Sequence, residues 1–246
     1  MKHPRTLVIA HGDKGGCGKS TFACIAVEYA LQRGLAVAVV EGDVQIHDVR
    51  DRYADTEVTV LSVDLDKSGA DATNALSSLF RHVEDAETDF LVMNSPANSH
   101  KILDAQAEIL LPVARELGFR VCTAWMVGTD AASAALAHRS ALCLGSDRRM
   151  AVINRHASAY DPDYVWFTEP QHREACLAAG GLVGEIPVLA SRVAARIKDL
   201  PGRTLGELAS RESPLYIIDR QILRDWLRRS WAQALAPLLG DTDDGR

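Results

Sequence analysis

The stretch His11-Gly12-Asp13-Lys14-Gly15-Gly16-Cys17-Gly18-Lys19-Ser20-Thr21 lies between a short apolar run, residues 6–10, and a helical pattern, residues 21–33, that closes at Gly34. A buried strand, a glycine loop and a helix are therefore expected in immediate succession. Glycines let the backbone curl so that several N–H groups point to one place. The loop also opens a helix, whose positive end attracts an anion. Lys19 is predicted to reach the β- and γ-phosphates of a nucleotide, and the Ser20 hydroxyl to ligate magnesium. The literal spacing G-x-x-x-x-G-K-[ST] is not met, because Gly12 stands one residue early; the variant K-G-G-x-G-K-[ST]-T is met. The competing view is a glycine-rich turn with two incidental lysines, and the flanking strand and helix argue against it.

Outward from the loop, apolar runs alternate with helical patterns. Strands are expected at 36–40, 58–63, 90–93, 121–127, 150–153 and 182–186, and helices at 71–83, 105–117 and 131–144. Thr168 and Gln171 have capping-box spacing ahead of a helix ending at Gly180-Gly181, and the longest terminal helix is predicted over about 215–239. The runs are too apolar for strands wetted on one face, so helices should cover both faces of the sheet. The expectation is an α/β fold with a mostly parallel twisted sheet. Residues 1–240 form one domain in this reading, and the acidic stretch 241–246 is expected to be disordered.

A chain of 246 residues suits one large α/β domain, and a hydrophobic fraction of 47% suits a packed core. The net charge of −6 does not point to nucleic acid for the molecule as a whole. Five scattered cysteines without a C-x-x-C pair, no signal-peptide pattern and no long apolar stretch lead to the expectation of a cytoplasmic protein with free thiols.

The segment Lys14-Gly-Gly-Cys-Gly-Lys-Ser-Thr21 resembles the deviant Walker A motif of the ParA/MinD ATPases. The resemblance implies a P-loop NTPase fold that binds ATP and Mg2+ through Gly15, Gly16, Cys17, Gly18, Lys19, Ser20 and Thr21. It also implies that Lys14 acts across the interface of an ATP-dependent homodimer. Val39-Val-Glu41-Gly-Asp43-Val-Gln45 looks like the family's switch I pattern D-x-D-x-Q, with Glu41 in place of the first Asp. Asp43 then falls on the residue that orients the attacking water and lies beside the metal. Leu91-Val-Met-Asn94-Ser-Pro96 looks like switch II, with Asn94 where Asp is usual. An amide keeps an acceptor oxygen but lacks the charge, so slow hydrolysis is expected, improving in Asn94→Asp. Asn154-Arg155 and the Gly184-Glu-Ile-Pro187 turn resemble the family's adenine-flanking segments, and the N-K-x-D guanine signature is absent.

Such proteins are dimerising switches that position a cargo in plasmid or chromosome partition or transfer, which makes a cargo or adaptor protein the expected partner. A nucleotide-binding scaffold with little hydrolysis is the alternative. Iron–sulfur carriers of the superfamily need paired cysteines and its tyrosine kinases a C-terminal tyrosine cluster; the sequence has neither. Arg220, Arg224, Arg228 and Arg229 form a basic stripe on the last helix, opposite Ile218, Ile222, Leu223, Trp226 and Leu227. Docking of that helix on the core is favoured, DNA-phosphate contact comes second, and membrane docking is disfavoured by the acidic residues that follow. His100, His138, His156 and His172 share no metal-ligand spacing and are read as surface or core residues.

Overall fold

The computed structural model describes residues 5–44 and 46–241. Seven strands form one sheet in the order β3-β2-β4-β1-β5-β6-β7, and every neighbouring pair is parallel. They are β1 (Arg5–His11), β2 (Val37–Glu41), β3 (Thr59–Ser62), β4 (Phe90–Asn94), β5 (Phe119–Val127), β6 (Arg148–Asn154) and β7 (Leu182–Ile186). All seven strands foreseen from the apolar runs are present. The glycine loop leaves the C-terminal end of β1, the central strand. From there the chain builds outward through β2 and β3, returns to β4 beside β1, and then crosses to β5 on the other side of β1, so the loop lies where ligands bind in open α/β sheets.

Side chains alternate across β1 as the pleat requires. Val8 and Ala10 pack with Phe22, Ile25 and Ala26 of α1 (Lys19–Gln32), while Leu7 and Ile9 pack on the other face with Leu76, Leu79, Leu103 and Leu110. The latter belong to α3 (Gly69–Asp85) and α4 (His100–Glu116). Helices thus cover both faces. A buried carboxylate joins α1 to its neighbours: Glu28 accepts from the Tyr53 hydroxyl (2.9 Å) on α2 (Asp48–Tyr53), and from the amides of Leu205 (2.6 Å) and Gly206 (2.8 Å).

Three helix expectations are corrected. Residues 131–144 are two helices, α5 (Ala131–Leu136) and α6 (Ala141–Gly145). Ser140 interrupts the pattern because its hydroxyl caps a new helix by accepting from the Cys143 amide (3.2 Å). The Thr168–Gln171 capping box does not form. Thr168 ends the short α7 (Val165–Thr168) and its hydroxyl donates to the Tyr164 carbonyl, while Gln171 donates to Glu169; α8 (Pro170–Ala178) starts instead at a proline. The capping box is at Thr204 and Glu207, opening α10 (Leu205–Ala209), which follows α9 (Ser191–Lys198). The terminal segment is not one regular α-helix over 215–239. It runs as α11 (Ile217–Ser230), a π-turn (Trp231–Leu235) and α12 (Ala236–Leu239). Pro237 has no N–H to donate, and the chain widens ahead of it.

The disorder expected for 241–246 concerns residues outside those described, apart from Asp241, which accepts from the Tyr29 hydroxyl. Among the described residues no helix is long and apolar enough to cross a membrane. The five cysteines, Cys17, Cys24, Cys122, Cys143 and Cys176, are all free thiols.

Candidate nucleotide site

Gly16 (φ 76°) and Gly18 (φ 107°) hold left-handed backbone that only glycine adopts cheaply, and Gly18 is the residue from which α1 starts. A Cβ on Gly18 would also collide with the Asn154 amide group. The loop is therefore a cradle closed on one side by β6. Lys19, the first residue of α1, is 7% exposed. Its ammonium donates to the Lys14 carbonyl (2.7 Å) and lies 3.7 Å from the Cys17 sulfur; the Cys17 thiol donates to the same carbonyl (3.1 Å). Among the described residues neither hydrogen-bond partner of this buried cation is an anion. Gly15, Gly16 and Thr21 are exposed, Ser20 is half-buried and Cys17 is buried. Burial raises the Cys17 thiol pKa, outweighing the opposing pull of Lys19.

The ends of β2 and β4 face this cradle in register, Glu41 opposite Asn94. Asn94 is buried and its Nδ2 donates to Glu41 Oε1 (2.8 Å) and to Ser20 Oγ (3.3 Å). Its Oδ1 is buried and has no hydrogen-bond partner among the described residues. Burial pushes the Glu41 carboxyl pKa up, while donors from Asn94, Arg50 and Val49 pull it back part of the way. Gly42 makes this approach feasible: its N–H donates to the Asn94 carbonyl (3.0 Å), and a Cβ there would sit 2.7 Å from that oxygen. Asp43, half-buried, accepts from the Ile46 amide (3.0 Å). Gln45 of the switch I pattern lies outside the described residues.

The segment after β4 is clipped to the loop. The Ser95 amide donates to Ala10 (3.1 Å) and the Asn98 amide to the Asp13 carbonyl (2.6 Å), with Asn98 itself at a left-handed φ of 59°. His100 Nδ1 lies 2.6 Å from the Asp13 carboxylate. Sequence spacing alone gives His100 no such role. His11 is fully buried, edge-on to Trp125 at 5.0 Å and 3.2 Å from the Ser95 hydroxyl. Burial, then the charges of Lys19 and His100, lowers its pKa from 6.5 to about 3. The folded chain therefore holds His11 neutral where the unfolded chain protonates it. Its stabilising effect is complete above about pH 6.5 and is lost as pH falls toward 3. We expect about 2 kcal/mol of stability to disappear between pH 7 and pH 5 from this residue. Chemical unfolding of His11→Gln should show that much less pH dependence over the window; an unchanged slope would contradict the assignment.

Asn154 sits at the other wall. Its Nδ2 donates to the Cys17 carbonyl (3.2 Å) and its Oδ1 accepts from the His156 amide (3.2 Å). The Arg155 guanidinium pairs with Glu185 (2.8 Å) and Asp161 (2.6 Å), next to the rings of Tyr164 and Phe167. Pro187 is buried just past β7, and its carbonyl accepts from the Trp226 indole (2.8 Å). Lys14 is 56% exposed and reaches Asp130 at 3.8 Å. Asp130 also caps α5 through the Ser133 amide (2.9 Å), and its meeting with Lys14 has no signal in the sequence. The terminal helix docks through Leu223, Trp226 and Leu227, while Ile218 is 55% exposed. In its arginine stripe, Arg224 donates to the Ala209 carbonyl (2.7 Å), Arg220 to the Ser210 carbonyl (3.2 Å), and Arg228 and Arg229 pair with Asp225.

No protein-family model matches the chain. Protein MobD of Acidithiobacillus ferrooxidans is 30% identical over 123 residues, which cover 50% of this chain and 52% of MobD. The chain thus spans about half the length of the curated relative it matches. Among solved structures, the cell division protein FtsY of Thermotoga maritima superimposes with a TM-score of 0.50 at 13% identity, over 75% of this chain and 62% of that one. FtsY of Mycoplasma mycoides gives 0.51 at 12%, over 95% and 70%. A nucleotide-binding protein of Archaeoglobus fulgidus in complex with ADP gives 0.50 at 17%, over 81% and 87%. At such identities the likeness is one of fold: this chain has the α/β fold of P-loop NTPases.

Proposed function

We propose that the chain is an ATP-binding switch of the ParA/MinD type, which dimerises with ATP and Mg2+, hydrolyses ATP slowly and thereby positions a cargo through an adaptor protein. The observation that carries the nucleotide reading is Lys19, a buried cation inside a glycine cradle whose hydrogen-bond partners are uncharged. Burying a charge without an opposite charge costs several kcal/mol, and a phosphate received by the loop N–H groups would offset that. Ser20 and Asn94 suit a metal beside the phosphates: the Ser20 hydroxyl meets the Asn94 amide nitrogen at 3.3 Å, and the buried oxygen of the same amide has no hydrogen-bond partner among the described residues. Magnesium would supply charge neutralisation on the transferring phosphoryl group. Gly15, Gly16, Cys17, Gly18, Lys19, Ser20 and Thr21 would cradle the phosphates, with Asp43 near the attacking water and Asn154, Arg155 and Pro187 flanking the base.

The amide at position 94, where the resemblance calls for Asp, favours slow turnover and keeps a scaffold with little hydrolysis as the second reading. An adenine nucleotide is expected to outcompete a guanine nucleotide, because an amide at Asn154 offers both a donor and an acceptor to a base edge. Competition of ATP and GTP against a fluorescent ADP analogue tests this. A clear preference for ATP supports it, and equal affinities would refute the base assignment.

A further inference from the structure

We propose that Glu41 is the anion of the phosphate–metal site and acts as a positioning residue for Asn94, so that one carboxylate and one amide are shared between the ends of β2 and β4. The proposal rests on the nucleotide reading above and specifies which residue carries the charge. A carboxylate only accepts hydrogen bonds, so the Asn94 amide must turn its Nδ2 to Glu41 Oε1, 2.8 Å away. That orientation fixes the other half of the amide. Oδ1 is left buried and, among the described residues, without a hydrogen-bond partner, while the same Nδ2 meets the Ser20 hydroxyl at 3.3 Å. The second oxygen of Glu41 accepts from the amides of Val49 (3.1 Å) and Arg50 (3.4 Å), at the first turn of α2. Glu41 therefore ties three things together: the β4 amide, the Ser20 corner of the loop and the start of α2. In the segment between Glu41 and α2, Val44 and Ile46 are exposed.

This arrangement reverses the effect expected from the sequence for Asn94→Asp. A carboxylate at position 94 would lie 2.8 Å from Glu41 inside a site that excludes water, and two like charges there oppose folding. The exchange Glu41→Gln with Asn94→Asp restores one carboxylate and one amide in reversed order.

The test is a double-mutant cycle on the whole chain, read first as the thermal midpoint without nucleotide and then as affinity for magnesium with a fluorescent ADP analogue. Asn94→Asp alone should lower the midpoint and weaken magnesium-dependent binding by about tenfold or more. The double substitution should recover most of the midpoint and bring affinity back to within about threefold. If Asn94→Asp does not fold, the double variant should fold, and its failure to do so would overturn the proposal. Additive midpoints, or tighter magnesium binding in Asn94→Asp with an unchanged midpoint, would also overturn it. The nucleotide reading fails separately, if the unaltered chain does not bind the ADP analogue at all.

Discussion

Replacing Lys19 by alanine is expected to abolish nucleotide binding while leaving the fold at least as stable as before. The two effects have one cause. Lys19 is 7% exposed and gives its protons to a carbonyl and a thiol, which compensate a buried ammonium poorly. Its removal relieves that desolvation, and the Lys14 carbonyl keeps the Cys17 thiol as a donor. A charge-assisted hydrogen bond contributes about 1.5–3 kcal/mol, and the ammonium also acts on neighbouring phosphate oxygens at longer range. Since about 1.4 kcal/mol is tenfold, affinity should fall by about 100-fold or more. Calorimetry with ATP and Mg2+, paired with a thermal melt, separates binding from folding. A folded Lys19→Ala variant of unchanged affinity would show that the cradle is not a phosphate site.

The second large effect is expected at Lys14. Lys14→Ala should bind ATP within about threefold of the unaltered chain and form no ATP-dependent dimer. Lys14 leaves the same loop as Lys19 but points outward, 56% exposed, with Asp130 at 3.8 Å. An exposed pair of that length is worth about 0–1 kcal/mol, so Lys14 is easily released to another partner. A phosphate presented across an interface is a much stronger partner, because water is excluded there as the surfaces meet. Dimerisation would then follow the charge of the bound nucleotide. Among the described residues Lys14 has a carboxylate within 4 Å and Lys19 forms no ion pair, which is why their replacements should differ in kind.

The sheet was legible because its strands are nearly continuous apolar runs, and a parallel sheet covered on both faces produces that pattern. Helix ends were less legible. Ser140 and Thr204 cap helices, while Thr168 has the right spacing and a different hydrogen bond; spacing does not say which competing local contact wins. The loop, the Glu41-Gly-Asp43 segment and Asn94 all lie at the C-terminal end of the sheet, where strand–loop–helix order places them. Their contacts with one another were not legible. Glu41 meets Asn94 because β2 and β4 are neighbours, and β2–β4 adjacency is a property of strand order rather than of either segment. The same holds for Lys14 with Asp130 and for Asp13 with His100, which join parts of the chain far apart in sequence. Trp226 is another case: it reads as one apolar position on a terminal helix, yet its indole holds the carbonyl of Pro187.

Control of association by nucleotide is tested by sedimentation velocity of the unaltered chain and of Lys14→Ala, each with saturating ATP and Mg2+ and with ADP. We expect a monomer with ADP for both, a dimer with ATP for the unaltered chain, and a monomer with ATP for Lys14→Ala. A chain that binds ATP and stays monomeric, or a Lys14→Ala variant that dimerises normally with ATP, would contradict it.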